Sequence, residues 1–246
     1  MPDPLTTLLD STLPPSTMEW MSGIMDGNYP DYPVWGVPSY FNANLFDGGL
    51  LNGKYDAWCI TPSVGITGNI DYHAFVYSSY GDVPSTVVPF AQVDGNNDGY
   101  LDRLQAINWI LNYITDPDNV VTDLSGDFTY SYDMELDPLF VGFETFTAGD
   151  VQLAMWELLN TTPVNPIALT SLHNYDTTGV TAGKIANLAI AQGSDFVPVA
   201  GQDMAVILAP GVDPNNPIYP TDPTAQAVII EVKTAGIGDT VFADCN

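Results

Sequence analysis

Positive charge is the scarcest resource in this chain. Four basic residues, Lys54, Arg103, Lys184 and Lys233, stand against 30 acidic ones, a formal net charge of −26. Four scattered cations cannot form the basic patch that a nucleic acid or an anionic membrane surface requires, so both partner classes are excluded. Cysteine is scarce too. Cys59 and Cys245 are the only two, too few for a disulfide framework, so the fold must rest on its core, with a single long-range bridge as the plain reading of the pair. Long apolar runs are missing as well: Met204-Ala-Val-Ile-Leu-Ala209 is about the longest, far below a membrane span, and reads as a buried strand. The opening Met1-Pro-Asp-Pro4 has neither the basic nor the apolar region of a signal peptide, and the expectation is a secreted protein whose leader has been removed.

What is present is enough for a packed domain. Of 246 residues 46% are hydrophobic, 11% aromatic and only 14% charged, a composition outside the disordered range. The acids are 25 Asp and 5 Glu, accompanied by 21 Gly and 20 Pro, so the chain is rich in turns. Residues 1–35 mix prolines and aromatics and read as an N-terminal arm laid over a core. Strand patterns follow, as in Tyr55-Asp-Ala-Trp-Cys-Ile60 and Tyr72-His-Ala-Phe-Val-Tyr77. From residue 102 the period becomes helical: Leu104, Ile107, Leu111 and Ile114 share one face. A second helix follows Thr147-Ala-Gly-Asp150, a capping-box start, and a third runs over about 181–192. Strands return at 204–208 and 227–232. The order predicts an α+β fold, a β-sandwich or barrel with a helical subdomain inserted over about 100–195.

Two short segments carry chemistry. Trp58-Cys59-Ile60-Thr61-Pro62 places a lone cysteine on an apolar strand, and Val151-Gln152-Leu153-Ala154-Met155-Trp156 places a glutamine near the start of an amphipathic helix. The plain reading of the first is an inert buried thiol, and of the second a surface amide. Together and in this order they resemble the paired motifs of bacterial surface-adhesin thioester domains, an aromatic-Cys-apolar motif followed about a hundred residues later by apolar-Gln-x-x-apolar-Trp. The segments Ile107–Tyr113 and Ile185–Ala191 resemble helices of the same family, and the likeness covers about residues 50–235. It departs at Thr61-Pro62, where an acid is common, and in the long 210–224 insertion. The resemblance implies a domain over 36–235 in which the Cys59 thiolate attacks the Gln152 carboxamide and expels ammonia. The resulting internal thioester would lie where the β and α parts meet, with Trp58 and Trp156 as packing partners or lids. It further implies covalent, single-use acylation of a lysine amine on an extracellular or host-surface protein, an isopeptide product, no enzymatic turnover and no organic cofactor. The alternative is a non-covalent, calcium-stabilised adhesion or carbohydrate-binding domain.

Asp94-Gly-Asn96-Asn-Asp98-Gly99-Tyr100-Leu-Asp102 resembles an EF-hand-type calcium loop, with oxygens from Asp94, Asn96, Asp98, the Tyr100 carbonyl and Asp102. Gln105 replaces the bidentate Glu of the last position, and an Asx/Gly turn capping the next helix is the plain alternative. Residues 236–246, Gly-Ile-Gly-Asp-Thr-Val-Phe-Ala-Asp-Cys-Asn, look like the first strand of a Cna B-type or serine-aspartate-repeat B-type module. That likeness implies the tip of a multidomain cell-surface adhesin and assigns Cys245 to the next module. A Cys-dependent hydrolase using Cys59 with His73 or His173 is disfavoured because neither histidine lies in a protease motif. Carboxylate pairs for glycoside hydrolysis are uninformative among so many acids. Glu231 and Lys233, two apart on one strand face, read as an ordinary charged pair.

Overall fold

The computed structural model describes residues 16–21, 41–46, 51–60, 71–80, 83–84, 87–88, 102–116, 120–122, 128–133, 143–159, 176–211 and 226–234. Four strands lead the chain: β1 (Ser16–Met21), β2 (Phe41–Phe46), β3 (Gly53–Cys59) and β4 (Asp71–Ser78). After them come helix α1 (Asp102–Tyr113), three short strands, β5 (Val120–Thr122), β6 (Phe128–Asp133) and β7 (Phe143–Phe146), and helices α2 (Ala148–Leu159) and α3 (Val180–Gly193). Strands β8 (Asp203–Gly211) and β9 (Val228–Lys233) close the order. The protein is therefore mixed α+β, with the helices between the two blocks of strands.

Six strands form one antiparallel sheet in the order β1-β2-β3-β9-β8-β4, and pairing of β1 with β4 closes it into a barrel. Of the two sheet architectures expected, the barrel is the one adopted. Two further features differ from the sequence reading. Ser16–Met21, inside the stretch read as an arm, supplies a barrel strand. The stretch of about 100–195, read as a helical subdomain, also holds the separate sheet β5-β6-β7. Both sets of strands are short and polar-interrupted (Ser-Thr-Met-Glu-Trp-Met in β1), which is why their period did not stand out.

Alternation along the barrel strands builds two cores. One face gathers Ala43, Leu45, Ala57, Ala74, Val76, Met204, Val206, Leu208, Val228 and Ile230. The opposite face of the same strands, with Ala205, Ile207, Ala209 and Ile229, meets the three helices, whose Leu104, Ile107, Ile110, Met155, Trp156, Ile185 and Leu188 are all buried there. Gly193, the last residue of α3, lets that helix close on α1: a Cβ at this position would come within 2.5 Å of Trp109 Cβ.

Helix α1 also repairs the sheet. Strand β4 ends at Ser78, opposite Val206; one further bond, from the Ser79 N–H to the Ala205 carbonyl at 3.2 Å, finishes its ladder with β8. Two asparagines one turn apart on α1 take its place. Asn108 Oδ1 accepts the Ala205 N–H at 2.7 Å. Asn112 Oδ1 accepts the Asp203 N–H at 2.7 Å while its Nδ2 donates to the Asp203 carbonyl at 2.6 Å. A side-chain carboxamide carries the same donor and acceptor as a peptide group and can extend a ladder where a strand stops.

Gln105 shares that helix and is fully buried, yet among the described residues neither polar atom of its amide finds a hydrogen-bond partner. The two positions should therefore answer oppositely to loss of polarity. Gln105→Met removes an unsatisfied buried amide and should raise unfolding free energy by about 1–2 kcal/mol, whereas Asn112→Leu orphans the Asp203 main chain and should lower it by about 2–4 kcal/mol. Urea unfolding of both variants measures the contrast, and equal signs would contradict it.

Candidate functional site

Strand β3 carries Cys59 at its end. It pairs with β2 only as far as Ala57, opposite Phe41, while on its other side it stays paired with β9 through Cys59–Val228. The N–H of Ile60 continues that second ladder to the Ala227 carbonyl at 3.0 Å. The main chain of Cys59 thus faces a gap on the β2 side, and helix α2 fills it. Cys59 N–H donates to Gln152 Oε1 at 2.7 Å, and Gln152 Nε2 donates to the Cys59 carbonyl at 2.8 Å. The two residues, 93 positions apart, are thereby held at one point of the structure. Gln152 has no exposed surface and Cys59 is 4% exposed; the surface amide of the plain reading is instead a buried clamp.

The start of α2 is built to hold Gln152 there. Thr147 Oγ1 accepts the Asp150 N–H at 3.2 Å, and Asp150 Oδ2 accepts the Thr147 N–H at 3.0 Å, the reciprocal capping box read from the sequence. The other oxygen of Asp150 accepts the Asp176 N–H at 2.7 Å. Asp176 in turn caps α3, its carboxylate accepting from the N–H and hydroxyl groups of Thr178 and Thr181. These bonds, those of Thr178 first, hold the Asp176 carboxyl well below the usual range. Two residues before Gln152, then, one buried aspartate locks both helix starts together. At the other end of α2, the Arg103 guanidinium donates to the Leu158 carbonyl.

Trp58 and Trp156 are both buried in the core between barrel and helices, 0% and 2% exposed. Trp58 Nε1 donates to Glu231 Oε1 of β9 at 2.6 Å. This corrects the reading of Glu231 and Lys233 as a pair: the Lys233 ammonium instead meets Asp203 of β8, directly opposite it in the ladder. Desolvation, reinforced by the charges of Asp56 and Asp203, pushes the Glu231 carboxyl well above the usual carboxylate range, against the smaller downward pulls of Trp58 and Lys233. Asp56, 1% exposed, lies on β3 two residues before Trp58. Asp56 had no part in the sequence reading, Glu231 entered it only as the partner of Lys233, and Asn108 and Asn112 only as members of the Ile107–Tyr113 segment; the signal for the last two was a pair of asparagines four apart among apolar residues.

Burial also pushes the Cys59 thiol well above its usual range. Burial therefore favours the neutral thiol over the thiolate with which the resemblance begins the reaction. Among the described residues no group of three His, Cys, Asp or Glu is placed to hold a metal ion. Of the calcium set only Asp102 is described, as the first residue of α1; Asp94, Asn96, Asp98 and Tyr100 lie outside the described residues, as do His173 and Cys245. Among those described, no helix is long and apolar enough to cross a membrane.

These features define an α+β barrel domain with a buried thiol and carboxamide clasped where strand meets helix. No family model and no curated protein matches the chain. One solved structure resembles it, the N-terminal domain of the Streptococcus pyogenes pilus tip adhesin Cpa, over 91% of this chain and 100% of that one, at 14% identity and a TM-score of 0.46. The likeness is too loose to carry residue roles across.

The half-buried Glu231 carboxylate gives a pH signature. A carboxyl whose pKa is raised on folding binds its proton more tightly folded than unfolded, so stability falls as pH climbs from the ordinary value of 4.5 through the raised one. Glu231→Gln keeps an acceptor for Trp58 and cannot ionise. Relative to wild type it should gain stability across that rise and match or trail it below pH 4.5; melting curves of both proteins from acid to neutral pH test the sign.

Proposed function

We propose that this protein is a covalent adhesion domain in which Cys59 and Gln152 form an internal thioester that acylates an amine of an extracellular partner, at the surface of the cell that makes it. The single observation that supports this best is the placement of the Gln152 carboxamide directly on the main chain of Cys59, with 2.7 and 2.8 Å contacts, on the two motifs that resemble the thioester signature. The reading makes the domain a single-use reagent, not an enzyme, and needs no cofactor.

Each proposed step balances with the groups the two residues supply. In formation, Cys59 sulfur bonds to the Gln152 amide carbon, the C–Nε2 bond breaks, and the thiol proton leaves with nitrogen as ammonia. The step is proton-neutral overall, so a thiol kept protonated by burial is no obstacle to its stoichiometry. The Cys59 N–H, already on Oε1, is aimed at the oxygen on which charge develops, as an oxyanion donor should be. In acylation, a neutral primary amine adds to the same carbon, the C–S bond breaks, and a proton from the amine returns to sulfur. A buried thiol is a reluctant leaving group without that proton, and exclusion of water from a site with almost no exposed surface protects the bond.

A second reading has its own support. Asn112 grips the main chain of Asp203 through the same donor–acceptor pairing that joins Gln152 to Cys59. The clamp is thus also used as plain scaffolding, and Gln152 could be a second such strut in a non-covalent adhesion domain. What sets it apart is the thiol on the residue it grips.

Intact mass separates the two. The covalent reading expects wild-type protein one ammonia lighter than its sequence, Cys59→Ala and Gln152→Ala at full mass, and methylamine to add to the wild type alone. A wild type at full mass that takes up no methylamine leaves the strut.

A further inference from the structure

We infer that the main chain of Cys59 is a specificity determinant of the proposed reaction: it accepts an unsubstituted carboxamide at Gln152 and rejects an N-substituted one. The inference rests on the thioester reading and adds to it which products the site can hold. Both contacts of the Gln152 amide go to one residue, Oε1 to the Cys59 N–H and Nε2 to the Cys59 carbonyl. An amide that accepts and donates side by side to a single residue must use the edge on which its oxygen lies. The hydrogen donated to Cys59 is therefore the one on the same side of the C–N bond as Oε1; the other points away.

In a secondary amide that position is taken. Substituted amides favour the trans form, roughly 70-fold or more over cis, which sets the substituent on the oxygen's side and the remaining hydrogen on the far side. Once a lysine or other primary amine has displaced sulfur, the new alkyl group occupies the place of the donated hydrogen, directly against the Cys59 carbonyl. Among the described residues the site is closely packed: Gln152 has no exposed surface, Cys59 is 4% exposed, and their chain neighbours Trp58 and Leu153 are buried. The acylated side chain must leave the clamp, taking the acyl carbon away from the restored thiol. Ammonia is the exception, because it regenerates the original carboxamide and its contacts. The reaction is thereby one-way for a partner amine and reversible for ammonia, and capture loosens the tie between α2 and β3.

The test uses native protein shown by mass to lack one ammonia. It is opened separately with excess ammonia and with excess methylamine, and both adducts are verified by mass. The expected results are that the ammonia product re-forms the thioester when amine is removed, while the methylamine product persists at least tenfold longer. In the continued presence of amine, the methylamine product should melt about 5 °C lower, the loss of two buried hydrogen bonds in a domain of this size. Its Cys59 should also alkylate faster. Both products re-forming the thioester at equal rates, or melting alike, would overturn this inference while leaving the covalent function intact. A wild type at full mass overturns both. An Asn112→Leu control, altering the other clamp, should lower the melting temperature of both products equally.

Discussion

The contact between the Gln152 carboxamide and the main chain of Cys59 is the point at which the two halves of this protein become one object. A barrel strand must end somewhere, and where β3 runs past β2 it presents an N–H and a carbonyl that burial will not leave unpaired. Burial keeps water from them, and among the described residues it is the helix that supplies a group of the right shape. Satisfying that demand fixes the rotation and height of α2 against the barrel. The Thr147–Asp150 cap and the Asp150–Asp176 bond then carry the constraint on to α3, so one buried amide sets the register of the helical layer on the sheet. The same logic, run independently by Asn108 and Asn112 at β8, shows that helix-borne carboxamides are this fold's general means of finishing strands.

If Cys59 and Gln152 form the proposed thioester, that generality explains how a reactive pair arises without a dedicated active site. A structural strut already brings an amide carbon beside a strand residue, holds it rigidly and keeps water out. Those are the expensive parts of intramolecular acyl transfer, since orientation and desolvation supply most of the advantage of such reactions. A thiol on the gripped residue adds the nucleophile. At β8 the gripped residue is Asp203, whose carboxyl is engaged with Lys233, and the strut stays a strut. Chemistry and scaffolding here differ by one side chain.

Much of this was legible in the sequence, for identifiable reasons. The three long helices announced themselves through 3.6-residue periodicity and a capping box whose members bond as their types require. Strands β3, β4, β8 and β9 were visible because β-branched and aromatic runs lay between turn residues. Cys59 and Gln152 were found by motif, and the structure places them in contact. Other features depend on tertiary placement. Nothing local marks Ser16–Met21 as a barrel strand, since its partners, Asn42–Phe46 and Asp71–Ala74, are distant in sequence. The bond of Glu231 to Trp58 spans 173 positions, and its neighbour Lys233 offered a simpler partner two residues away. Gln105 read as the weak end of a calcium loop; its buried, unsatisfied amide appears only once the helix is packed.

The scarcity of cations acquires a spatial meaning from the same geometry. An acyl electrophile is threatened first by amines that are always present, those of its own chain. Cys59 faces Val228, and Lys54 and Lys233 lie on β3 and β9 five residues from that pair. Because the strands are antiparallel, both displacements run toward the same end of the barrel, about 16 Å from the sulfur at the rise of an extended chain. Lys233 is further committed to Asp203. Neither strand lysine can reach the seam without unfolding the sheet that carries it. The excess of carboxylates cannot replace this protection, because an electrostatic field concentrates ammonium ions but leaves the free concentration of neutral amine, the species that reacts, set by bulk pH. On the thioester reading, the negative surface would act on encounter, by favouring polycationic partners over small amines, while the placement of Lys54 and Lys233 would keep both from the bond. Charge would then set who arrives, and the barrel geometry which strand amines cannot.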